Sequence, residues 1–178
     1  ASPGGRYYDL ARELLTLEIN AAIEGLCEGG ASYVMVADSH GPGAVDITKL
    51  DPRADLMRWS WRQPWPHCMQ DGFDYIVFVG QHAKSRPPLS NMAHTGNCSV
   101  LERSVNGLAI GEFGNVSMCA SELGIRTIFA SGELALTKEA QELIPGIETV
   151  GVKRGLREGR GDDCTAEQYR LRNPGAIH

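Results

Sequence analysis

The sequence predicts an α/β fold, a three-layer sandwich with a largely parallel or mixed sheet flanked by helices. Three observations carry this. The apolar runs at 33–37 and 75–79 and the stretch 126–130 have the length and residue types of strands. Longer stretches elsewhere carry apolar residues at helical spacing. Strand and helix patterns then alternate along the chain, as they do when parallel strands are joined by crossover helices. The 178 residues suit one domain, 1–178, with a sizeable core.

The elements follow in order. From Tyr7 to Glu28, residues Leu10, Leu14, Leu17, Ala21 and Leu26 recur at helical spacing, and Gly29-Gly30 ends the run. This predicts an amphipathic helix of about six turns. Residues 33–37 form the first visible strand, and 41–52, rich in glycine, proline and Asp-Pro, a loop. Residues 56–67 hold Trp59, Trp61 and Trp65 with two prolines. That composition makes a poor helix, and no element is assigned there. Residues 75–79 form the second strand. Residues 98–110 allow strand, with Asn106-Gly107 as a turn. Glu112 to Leu123 reads as a helix closed by Gly124, 126–130 as the third clear strand, Leu134 to Leu143 as a helix stopped before Pro145, and 148–152 as a last strand. From Lys153 on, charge and glycine increase, as in a loop.

Composition excludes several classes. A net charge of −5 argues against nucleic-acid binding by bulk charge. No run of about 18 apolar residues is present to span a membrane. The opening residues show no basic segment followed by an apolar one, so no signal peptide is visible. Five cysteines, an odd count without CxxC spacing, suggest reduced thiols and a cytoplasmic protein. Cys27 and Cys119 fall in helical patterns that suit buried thiols. No glycine-rich phosphate loop and no GxSxG elbow occurs.

The chemistry concentrates after two strands. Tyr33-Val-Met-Val-Ala-Asp-Ser-His40 and Tyr75-Ile-Val-Phe-Val-Gly-Gln-His82 share one plan, with a histidine seven positions after a tyrosine. If the two strands are parallel neighbours, both imidazoles emerge at the carboxyl edge of the sheet, where open α/β sheets bind ligands. Histidines with a carboxylate are the usual donors of a catalytic zinc. Glu112 is the candidate carboxylate, although its position alone favours a first-turn acid suited to the helix dipole. Asp38 is suited to orient a ligand or to cap the turn. His94 is a candidate general acid or base, a substrate binder, or an exposed residue. His67 and His178 receive no role.

Four motifs in this order resemble the zinc-dependent D-aminopeptidase family: Asp38-Ser-His40, Gly80-Gln-His-Ala83, Met92-Ala-His94 and Gly111-Glu-Phe-Gly114. Thr16-Leu-Glu-Ile-Asn20 and Glu139-Ala-Gln-Glu-Leu-Ile-Pro145 look alike too, so the resemblance covers nearly the whole chain. It implies a peptidase with two zinc ions per subunit in the full-length protein. His40, His82 and Glu112 match family zinc ligands, and His94 matches the catalytic histidine. It also implies short-peptide substrates, D-residues among them, hydrolysis by metal-activated water, and a ring-like homo-oligomer. The family's other ligands are an Asp and a Glu in an Asp-x-Glu-Gly motif before the stretch matching Arg6 to Asn20. The resemblance therefore implies a chain that lacks the family's first strand and C-terminal region. The sequence departs from the family at Gly132-Glu-Leu134, where a close relative has Gly-Asp-Asp. Two other readings stay open. One is a different metal-dependent amide or ester hydrolase on the same scaffold, and the other a non-catalytic member with an incomplete metal site.

Overall fold

The computed structural model describes residues 4–39, 43–58, 69–70, 72–90, 92–97 and 99–155. The chain divides into two compact units, Ala1–Pro64 and Trp65–His178. The α/β class is as predicted, and both units are built on parallel strand pairs.

The first unit holds α1 (Tyr8–Glu28), β1 (Val34–Asp38) and β2 (Ala54–Arg58), with β1 and β2 parallel from Val34↔Ala54 to Asp38↔Arg58. The leucines that make α1 amphipathic are not its packed face. Leu10, Leu14 and Leu17 are 51–53% exposed, whereas Thr16, Ile19 and Ile23 are buried. Polar groups explain this. Thr16 Oγ1 donates to Arg12 O and accepts the Asp46 N–H, both at 2.8 Å. Asn20 Nδ2 donates to Lys49 O at 2.8 Å, while its Oδ1 accepts the Asp51 N–H at 2.9 Å. These bonds bind the Thr16–Asn20 face to the 46–51 loop and leave the leucine stripe outward.

The buried carboxylate of Asp38 closes the other end of that loop. Its Oδ2 accepts the N–H groups of Ala44 and Val45 at 2.8 and 3.1 Å. Of the two roles open to it, the capping one is seen. His40, one of the predicted site residues, lies outside the described residues, as do the three tryptophans.

The second unit is ordered β3 (Tyr75–Gln81), β4 (Ser104–Val105), β5 (Leu108–Ala109), α2 (Glu112–Glu122), β6 (Arg126–Glu133), α3 (Leu134–Leu143) and β7 (Glu148–Lys153). A parallel sheet runs β3-β6-β7, and β4-β5 is an antiparallel hairpin. Asn106 and Gly107, both at positive φ, make its two-residue turn. Each tyrosine-led strand has a parallel partner within its own unit, β1 with β2 and β3 with β6. Cys27 and Cys119 are half-buried free thiols, less enclosed than expected.

The sheet packs on α2 and α3 through Ala83, Phe113, Ala130, Leu136 and Ala140, all fully buried. Phe78 of β3 meets Phe113 of α2 edge-on at 4.8 Å. Gly132 lets β6 pass tight against β3, because a Cβ there would run into the Gln81 carbonyl. The carboxyl ends of β3 and β6 are thereby held together, with His82 just beyond one and Glu133 closing the other.

Two outcomes are expected. Thr16→Val leaves the Asp46 N–H without its acceptor and costs about 1–3 kcal/mol, read by denaturant unfolding. Asp51, gripped by the Arg53 side chain and backbone N–H, has its carboxyl lowered to about 2. A lowered carboxyl contributes stability in full above its ordinary value near 3.8 and loses it as pH falls through about 2. Carboxyl NMR titration should find that low midpoint, and Arg53→Gln should return it towards 3.8.

Candidate functional site

Beyond β3 the chain turns inward at Ala83, whose methyl group is fully buried. Buried backbone must find partners, and the partners here are unusual. The Ala83 N–H donates to Glu133 Oε1 and the Lys84 N–H to Glu139 Oε2, both at 2.8 Å. The Ala83 carbonyl accepts from His82 Nδ1 at 2.9 Å and from the His94 backbone N–H at 3.3 Å. One residue thus orients one histidine ring and anchors the backbone of the other.

His94 follows a loop in which Arg86, Leu89 and Met92 all have positive φ. Such conformations cost non-glycine residues of order 1–3 kcal/mol each and persist only where the surroundings hold them. At Met92 the left-handed turn lets its carbonyl accept from His94 Nδ1 at 2.7 Å. Both imidazoles therefore carry a proton on Nδ1, and both present Nε2 to the site.

Glu112 opens α2. Its Oε1 accepts the Gly96 N–H at 2.7 Å, and its Oε2 lies 2.9 Å from His82 Nε2. His94 Nε2 is 3.9 Å from Oε1. Donor atoms of His82, His94 and Glu112 all fall within 4.8 Å of one another. Three of the four predicted site residues thus meet at one point, and the fourth, His40, lies outside the described residues.

The two histidines are stacked, with ring centres 3.8 Å apart and planes inclined by 22°. Their surroundings divide them electrostatically. Burial opposes charge on His82, but the Glu112 contact and the Ala83 carbonyl outweigh it and raise its pKa. Burial lowers the pKa of His94, and charge on neighbouring His82 lowers it further. Burial works against charge on Glu112 as well, yet its contacts with His82 lower its pKa overall. A proton is therefore held more readily by His82, beside the Glu112 carboxylate, than by His94.

This donor set fits a metal ion. Imidazole nitrogen and carboxylate oxygen, as His82 and Glu112 offer here, are donors zinc takes in catalytic sites. Both Nδ1–H groups are engaged by carbonyls, the arrangement that fixes the ligating tautomer. Glu112 Oε2 is buried, and with the proton of neutral His82 on Nδ1 the Nε2 atom 2.9 Å away has none to donate to it. Such an atom calls for an ion or another donor.

The sequence model of the family described as D-aminopeptidase matches residues 1–171. This chain belongs to the D-aminopeptidase family. The D-aminopeptidase of Bacillus subtilis (strain 168) is 31% identical over 158 residues, covering 86% of this chain and 56% of the relative. A solved structure described as "Zn-dependent D-aminopeptidase DppA from Bacillus subtilis, a self-compartmentalizing protease" matches with a TM-score of 0.79 at 28% identity. That match covers 98% of this chain and 65% of the neighbour. The chain thus spans about half the length of the curated relative.

Two residues that build this candidate site are not marked as parts of it by the sequence alone. Glu133 was marked only as a departure, yet it is fully buried and holds the Ala83 N–H. Glu139 stood unremarked in a family-like stretch. Its signal was its spacing, since it falls between Leu136 and Ala140 on the buried face of α3.

Gly111 is where these parts approach most closely. A Cβ there would come within 2.9 Å of Lys84 Cα and 3.1 Å of Glu139 Oε1. Gly111→Ala is expected to cost about 1–3 kcal/mol, as overpacking does, read as a lower denaturation midpoint.

Proposed function

We propose that this D-aminopeptidase family member is a zinc-dependent aminopeptidase that cleaves short peptides, D-residue peptides among them. The convergence of His82, His94 and Glu112 donor atoms carries this reading. The solved relative described as Zn-dependent supports zinc as the ion.

In this reading His82 and Glu112 are ligands and His94 is the catalytic histidine. The stacking favours that division. Ring lone pairs lie in the ring plane, and planes inclined by only 22° do not direct them at one ion with a tetrahedral angle between them. His94 instead stands beside the donors with a neutral Nε2, suited to take a proton from the attacking water and return it to the leaving amine. Zinc, when bound, supplies an acidified water and Lewis-acid polarisation of the peptide carbonyl. Glu112 keeps one oxygen on the Gly96 N–H, which fixes the carboxylate and leaves Oε2 directed at the donor cluster.

The two-ion form extends this reading. It needs donors beyond this cluster, and His40 is the one predicted from this sequence. The neighbour described as self-compartmentalizing supports a homo-oligomer here as well, a ring that would admit only small peptides.

The test uses the full-length protein with zinc, a chelator, and a panel of D- and L-dipeptides, amides and esters. Cleavage of dipeptides at the free amino end, lost on chelation and restored by zinc, is expected. His82→Ala should fold and lose more than about 100-fold in kcat/KM, beyond the 10–100-fold typical of an outer contact. Full activity in the folded variant overturns the ligand assignment. Turnover of esters or non-peptide amides alone favours a different hydrolase on this scaffold.

A further inference from the structure

Glu139 has no part in peptide cleavage as derived above, yet it is only 7% exposed and both its oxygens are engaged. Oε2 accepts the Lys84 N–H at 2.8 Å, and Oε1 accepts the Gly111 N–H at 3.2 Å. Lys84 comes two residues after His82, and Gly111 immediately precedes Glu112. One carboxylate on α3 therefore ties the backbone that carries the imidazole to the backbone that carries the acid.

The Lys84 N–H belongs to the same peptide group as the Ala83 carbonyl. That carbonyl is the acceptor for His82 Nδ1. A peptide whose N–H is bonded to a carboxylate has a more polarised carbonyl, since bonds in a chain strengthen one another. A stronger acceptor at Nδ1–H holds the ring's orientation and makes Nε2 the better donor to a metal. The arrangement is a carboxylate–peptide–histidine relay, in which a peptide group stands between the two side chains.

We propose that Glu139 is a positioning residue of the metal centre, acting on His82 through the Ala83–Lys84 peptide and on Glu112 through Gly111. The inference rests on the reading of His82 and Glu112 as ligands. Burial alone does not account for the geometry, because a residue that merely filled space on α3 would not engage both ligand-bearing segments.

Glu139→Gln tests it in the full-length protein. The amide has the same size but offers one acceptor and one NH2, so it satisfies one of the two N–H groups and opposes the other. Zinc affinity, measured by competition with a chromogenic chelator, should fall about 10–100-fold. At saturating cobalt the d–d absorption should shift, reporting altered ligand geometry. Thr137→Val, on the same helix with its hydroxyl bonded to Leu134 O, should change neither reading. If Glu139→Gln does not fold, Glu139→Asp, one methylene shorter, is read in the same way. A folded Glu139 variant with wild-type zinc affinity and wild-type cobalt spectrum overturns the proposal. His82→Ala in the same assay separates the two levels. If it loses zinc while the Glu139 variant does not, only the relay fails. If it too binds zinc normally, the ligand assignment fails.

Discussion

The site depends on how the backbone from His82 to Lys84 is satisfied. This segment leaves the sheet and enters the interior, where an unpaired amide costs as much as a lost hydrogen bond or more. The Ala83 and Lys84 N–H groups go to Glu133 and Glu139, and the Ala83 carbonyl takes both a histidine ring and a histidine backbone. Gln81 Nε2 reaches the His82 carbonyl at 3.3 Å. Burying two carboxylates is costly unless hydrogen bonds replace their hydration. Here each receives backbone donors, so the same bonds that offset that cost fix the peptide on which His82 is mounted.

The sheet brings these parts together. β3 and β6 run parallel, so Gln81 and Glu133 end at one edge, and Gly132 allows the approach that seats Ala83 against Glu133. Helix α2 begins at the same edge, placing Glu112 in its first turn, where backbone N–H groups and the helix dipole favour a carboxylate. The sequence left open whether Glu112 was a helix-start acid or a ligand candidate. The geometry makes these one fact, because the helix start that suits the acid also sets its carboxylate 2.9 Å from His82 Nε2.

Elements with strong local signals were legible in the sequence. The strand at Tyr75 stood out as an unbroken apolar run and that at Arg126 through its β-branched and aromatic Thr127-Ile128-Phe129, and α2 and α3 because glycine or proline closes them. β2 was not seen, since Ala-Asp-Leu-Met-Arg has two charges and little β-branching and forms only by pairing with β1. The packed face of α1 was hidden for a similar reason. Leucine spacing marks an apolar stripe, but Thr16 and Asn20 select the buried side through bonds to residues about 30 positions away. Three residues of the candidate cluster could be read from motifs because their types are chemically distinctive. Glu139 could not, as an acid on a helix is usually solvated and only the tertiary structure gives it two amides.

His82 and His94 show how much of the chemistry lies beyond residue type. The two rings are stacked, each with Nδ1–H on a carbonyl and Nε2 towards Glu112. What separates them is about 1 Å of distance to that carboxylate, 2.9 Å against 3.9 Å. The carboxylate outweighs burial at the closer ring and raises its pKa, whereas burial, and then charge on the first ring, lowers that of the other. Two adjacent imidazoles cannot both be charged cheaply in a partly buried site, so a small asymmetry in position becomes a division of roles. In the proposed reading, a metal ion held by His82 and Glu112 would preserve that logic, keeping positive charge on their side and leaving His94 free to accept a proton. The backbone that sets the 1 Å difference is therefore as much a part of the proposed chemistry as the side chains.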